Sequence, residues 1–212
     1  MAQSYRQNNL AIFAYGSLLS DPGEKILPHI VDRIPCPSPW PIEYARRAKL
    51  RGDDPTLVIH HSGGIVQGQL LVLDLQLSAL DELMEWLWER EGNPPRELLK
   101  QMECNGFGCV LYCDLESNLT DEEINPESLA QFAIDSVDKR PERNAVRYLA
   151  NNIAQGIITP LTYAYRDAIL RRSGAAELAG AEEFILRSGQ SLKANGMMGD
   201  DGAWHHNLIN FE

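Results

Sequence analysis

The chain has 212 residues, 44% apolar and 23% charged, the balance of a globular protein with a packed core, which excludes disorder as its main state. A formal net charge of −11 repels a phosphate backbone and leaves no electrostatic footprint for nucleic acid. Residues 1–9 are polar, unlike a signal peptide, and no run of about 18 apolar residues exists to span a membrane, so a cytoplasmic setting is expected.

The first element is a short apolar run, residues 10–15, that stops at Gly16 and reads as a buried strand. Asp21-Pro22-Gly23 punctuates the chain, and four prolines within residues 34–41 predict a surface loop without regular structure. Residues 42–50 and 56–60 read as strands, the second ending at Ser62-Gly63-Gly64. Residues 65–73 form a further strand, in which Gly68 marks a bulge or a close backbone approach. The period then changes: Leu77, Leu80, Leu83, Met84, Leu87 and Trp88 recur at helical spacing, with Ser78 as the expected N-cap and Gly92 and Pro94-Pro95 as the stop. Residues 108–115 read as a strand, and residues 127–137, 143–155 and 160–172 as three helices, the last two separated by Gly156 and Pro160. Residues 182–186 add a short helical piece, and residues 188–212 have no assigned structure. The expectation is one α+β domain over residues 1–212, with a mixed, barrel-like sheet, surrounding helices and a helical C-terminal third; residues 175–212 form an extension.

The residues that could carry chemistry are few. A glycine directly after a buried strand permits a tight turn and close ligand approach. The N–H groups of Ser17, Leu18 and Leu19 then lack strand partners and can converge on a carboxylate or an oxyanion. An ordinary hydrated turn is the alternative. Glu85, Glu89 and Glu91 crowd the C-terminal half of the amphipathic helix, where acids oppose the helix dipole. Glu91, at the boundary with Gly92, can point off the helix end, whereas Glu89 reads as surface and Arg90 as a compensating charge. His60 and His61 fall on a predicted strand, whose successive side chains face opposite ways, so they are not expected to chelate one metal. His205 and His206 lie in the tail. Cys36, Cys104, Cys109 and Cys113 match no zinc spacing and read as reduced, buried thiols. No GxSxG elbow, P-loop or GxGxxG is present, and no base is evident for Ser17 as a nucleophile.

Taken together, these features resemble the γ-glutamylcyclotransferase-like superfamily, and within it the ChaC branch. Tyr15-Gly16-Ser17-Leu18 is similar to the turn after that superfamily's first strand, and Val66-Gln67-Gly68-Gln69-Leu70 to its glycine-containing strand. Leu87-Trp88-Glu89-Arg90-Glu91 matches a ChaC helix end whose last glutamate is catalytic. The run from Arg143 through Asn144, Tyr148 and Leu149 to Gly156 resembles a later helix of that branch. Departures are Leu19-Ser20, where ChaC proteins continue with Ile-Trp, and Leu50-Arg51-Gly52, a partial form of a His-Arg-Gly segment.

The resemblance implies an enzyme in which the α-amine of a γ-glutamyl compound attacks its own γ-carbonyl, releasing 5-oxoproline and an amine or amino acid. It implies Glu91 as general acid and base, with Tyr15, Gly16, Ser17, Leu18 and Arg51 around the substrate. No metal or cofactor is required, and the partner is a small-molecule γ-glutamyl substrate such as glutathione or a γ-glutamyl peptide. Two alternatives stay open: a non-catalytic module binding γ-glutamyl or amino-acid-like metabolites, and a cyclotransferase acting on γ-glutamylamines.

Overall fold

Residues 10–14 are apolar at every position because strand β1 (Asn9–Ala14) is central in a sheet and covered on both faces. Leu10, Ile12 and Ala14 face a large core shared with the helices, while Ala11 and Phe13 face a second, smaller core. The computed structural model describes residues 9–49, 52–137 and 141–194.

Seven strands are formed among the described residues: β1, β2 (Ile30–Pro37), β3 (Ile42–Ala48), β4 (Asp54–Ile59), β5 (Gln67–Gln76), β6 (Leu99–Cys104) and β7 (Phe107–Cys113). Five make a mixed sheet in the order β2-β5-β1-β7-β6, antiparallel except for the parallel pair β1–β7. Strands β3 and β4 form a separate antiparallel ribbon. The helices are α1 (Ser17–Ser20, a single turn), α2 (Leu80–Arg90), α3 (Pro126–Val137), α4 (Ala145–Ala154), α5 (Thr162–Ser173) and α6 (Leu178–Ala194). Helices α3 and α4 pack on β4, and α3, α5 and α6 pack on one another.

The architecture is α+β with a mixed sheet, but among the described residues the sheet is open and no ladder joins its edge strands β2 and β6. Those edges do approach at one end, where Cys36 Sγ lies 3.5 Å from Cys104 Sγ. All four cysteines are free thiols. No helix among the described residues is long and apolar enough to cross a membrane.

Four local expectations are corrected. Pro35 and Pro37 lie in strand β2, not in a loop; as an edge strand it has one side without ladder partners, where the missing N–H groups cost nothing. Strand β6 was not anticipated; it pairs with β7 across Asn105-Gly106, whose φ angles of 52° and 81° make the tight turn that an Asn-Gly pair favours. Ser78 does not cap α2, because the chain enters that helix through a 3₁₀ turn over Leu77–Ala79 and Ala79 takes the cap position without a side-chain bond. Helix α6 is also longer than the short piece expected. Gly68 does sit at a close approach: a Cβ there would lie 2.8 Å from the Ala14 carbonyl oxygen and 2.9 Å from the Phe13 ring.

Glu43 is fully buried in β3, where its carboxylate accepts from Thr159 Oγ1 at 2.5 Å and from the backbone N–H groups of Tyr44 at 2.9 Å and Leu161 at 3.2 Å. It thereby pins the ribbon to the approach of α5. Burial raises its pKa above 4.5, and these hydrogen bonds partly offset that rise. Glu43→Gln keeps an acceptor but turns an amide donor toward one N–H. We expect a loss of about 1–3 kcal/mol in urea unfolding at neutral pH, and an unchanged midpoint would contradict the anchoring role.

Candidate active site

Strands β1 and β7 run parallel, so their C-terminal ends deliver Tyr15 and Cys113 to the same side of the sheet. A cleft of about 1310 Å³ opens there, walled by the turn after β1, the end of α2, the ends of β3 and β4, and the first turns of α4. This is the crevice beyond the carboxyl ends of strands where ligands commonly bind.

The turn depends on Gly16, whose φ of 61° and ψ of −131° are rarely adopted by L side chains. A Cβ at Gly16 would also stand 2.4 Å from the Tyr148 hydroxyl oxygen, so glycine is required both by conformation and by space. The three N–H groups anticipated as free are reduced to two: Leu19 donates to the Gly16 carbonyl at 3.2 Å, leaving Ser17 and Leu18 without an acceptor among the described residues. Leu18 itself is buried and anchors the turn in the core.

Glu91 ends α2, with its N–H donating to the Leu87 carbonyl at 2.9 Å and its side chain turned into the cleft. Arg90 connects it to the β1 turn. Its Nη1 donates to Glu91 Oε1 at 2.6 Å, its Nη2 to Ser17 Oγ at 3.1 Å, and Nε and Nη2 to the Asp21 carbonyl at 3.0 and 2.6 Å. The Arg90 and Glu91 side chains are only 14% and 12% exposed, so this pair is held in a fixed geometry rather than averaged by solvent. The neighbouring acids are otherwise engaged: Glu89 pairs with Lys25 and Glu85 with Arg96 on the surface.

Burial first, and then the Glu91 carboxylate, push the Tyr15 phenol well above its usual 10 and the Cys113 thiol up to about 12. Both stay protonated near neutrality, so Cys113 is no thiolate nucleophile and Tyr15 can serve as a hydroxyl donor.

Sequence reasoning missed the charge of this cleft. Among the described residues, Arg46, Lys49, Arg90, Arg143 and Arg147 line it against Asp21 and Glu91, a basic pocket in a chain of net charge −11. Asn144 organises one wall by capping α4: it accepts from the Arg147 N–H at 2.9 Å and donates to Glu182 Oε1 at 2.7 Å, which also takes Arg147 Nη2 at 2.7 Å. Tyr148, about one turn on from Asn144, faces Gly16. Tyr15, Gly16, Ser17, Leu18 and Glu91 are thus brought together, while Arg51 lies outside the described residues.

The placement of the histidine pair on a strand is also corrected. Strand β4 ends at Ile59, so alternation does not extend through the pair, and the His60 and His61 rings lie 4.3 Å apart.

No family model matches the chain, and no curated protein matches it. Among solved structures, the chain is similar to a glutathione-specific γ-glutamylcyclotransferase from yeast, with 15% identity and a TM-score of 0.44 over 77% of this chain and 99% of that one.

Proposed function

We propose that this protein is a γ-glutamylcyclotransferase-type enzyme that releases 5-oxoproline from γ-glutamyl peptides. The observation that carries the reading is Glu91, a carboxylate held by Arg90 at the wall of a basic cleft, facing the Tyr15–Leu18 turn. Nucleophile and electrophile belong to one substrate molecule, so holding the bent conformer supplies much of the acceleration by proximity. Glu91 takes a proton from the α-amine as its nitrogen bonds to the γ-carbonyl carbon, and returns a proton to the departing nitrogen as the amide C–N bond breaks. The Ser17 and Leu18 N–H groups and the Tyr15 hydroxyl are the donors available to the tetrahedral oxyanion or to the substrate's α-carboxylate.

The cleft's cations favour substrates with a second carboxylate, as in a γ-glutamyl dipeptide or glutathione, over γ-glutamylamines, whose leaving group has none. The test is incubation with all three classes and detection of 5-oxoproline by mass spectrometry. Turnover of the peptides, about 10- to 100-fold faster in kcat/KM than of the amines, is expected from one charged hydrogen bond. Calorimetric binding without product from any of them would make the protein a binding module instead.

Arg90→Lys is expected to lower kcat more than it raises KM. One ammonium cannot reach Glu91, Ser17 and the Asp21 carbonyl from one position, so the acid/base loses its orientation while the rim cations still bind substrate. Steady-state kinetics separate the two, and a pure KM effect would remove Arg90 from that role.

A further inference from the structure

A second group of chemically capable side chains lies outside the cleft. His60 and His61 follow the end of β4, and Asp121 projects from the connection between β7 and α3. Asp121 Oδ1 stands 3.8 Å from His60 Nε2 and 3.7 Å from His61 Nε2, too far for a hydrogen bond to either. One ligand atom from each of the three residues lies within 4.8 Å of the others.

That spacing is informative. Zinc bonds of about 2.0–2.2 Å in a tetrahedral arrangement separate ligand atoms by about 3.4 Å; both histidine-to-Asp121 separations are within a few tenths of an ångström of that, and the two histidine ligand atoms lie within 4.8 Å of each other, a gap that the exposed His61 side chain can close. Two imidazoles and a carboxylate are the donor set of a borderline divalent cation, and not of magnesium or calcium, which take oxygen ligands. His60 is the ordered member: its side chain is only 10% exposed, and Nδ1 lies 2.8 Å from Ser62 Oγ. The Ser62 backbone N–H also donates to Nδ1 at 3.3 Å, so Ser62 fixes the ring with Nε2 facing Asp121. His61 and Asp121 are 74% and 68% exposed, so the fourth position is open to water or to another ligand.

We propose that His60, His61 and Asp121 form a binding site for one divalent zinc-like cation. Bound there, the ion ties the end of the β3–β4 ribbon to the connection after β7. That connection also carries Leu115 and Asn118 of the cleft wall, so the ion braces the cleft from outside without entering it. The site stands independently of the activity proposed above.

The test is calorimetric titration of the tag-free, full-length protein, stripped of metal, with zinc sulfate, alongside thermal unfolding with and without zinc. One ion per chain with a Kd of about 1–10 μM and a raised Tm are expected. His61→Ala and Asp121→Asn, both at exposed positions, should each weaken binding about 10- to 100-fold while leaving the zinc-free Tm unchanged. Absence of saturable binding overturns the site. So does binding that persists in both variants, or binding that is lost instead in the double variant His205→Ala, His206→Ala.

Discussion

Glu91→Gln is expected to lower kcat/KM for 5-oxoproline release by about a thousandfold while leaving Tm within about 2 °C of the parent. A positioned acid/base contributes about 10²–10⁴ in rate, and a thousandfold is about 4 kcal/mol of barrier. The substitution is nearly isosteric, and its amide oxygen can still accept from Arg90 Nη1, so the tether between α2 and the β1 turn persists. Substrate binding should change little, because the cations lining the cleft are untouched. The decisive comparison is the 5-oxoproline rate beside the melting curve. Near-parental turnover would refute Glu91 as the proton carrier, whereas lost activity with lost stability would point to a structural role.

Gly16→Ala should be the most damaging single change in the turn, costing about 2–4 kcal/mol of stability and nearly all activity. Two causes add. Alanine at φ 61° and ψ −131° is strained by about 1–3 kcal/mol, and its Cβ would stand 2.4 Å from the Tyr148 oxygen. For a chain of this size the expected fall in Tm is about 5–15 °C. The causes separate in a double-mutant cycle. Tyr148→Phe removes the clashing oxygen and leaves the ring carbon behind it at 3.4 Å, an ordinary contact. The pair should therefore recover about 1 kcal/mol of the loss but not the backbone strain. Full additivity would show that the hydroxyl moves aside freely. A Gly16→Ala protein with parental Tm and rate would remove the turn from the site altogether.

How much of this was legible beforehand follows from the range over which each cause acts. The end of β1 at Gly16, the amphipathic period of α2 and its stop at Gly92 are short-range patterns, and the structure has them where the sequence places them. The same reasoning failed where tertiary position overrides local preference. Pro35 and Pro37 break a central strand, but β2 is at an edge, and no local signal distinguishes the two. Strand β6 carries a local signal in Asn105-Gly106, but residues 99–104 alternate only weakly, so the strand itself is faint in the sequence.

The sequence by itself determined the pieces of the candidate site: a strand that must turn at a glycine, and a helix that must end on a carboxylate. Backbone sterics and the helical period act within a few residues, so they can be read along the chain. The tertiary structure alone decided that Arg90 would join those pieces, because its Ser17 partner is 73 residues away. It alone also made the cleft basic within an acidic protein. Electrostatic potential sums over neighbours in space, and Arg46, Lys49, Arg90, Arg143 and Arg147 become neighbours only when β3, α2 and α4 meet.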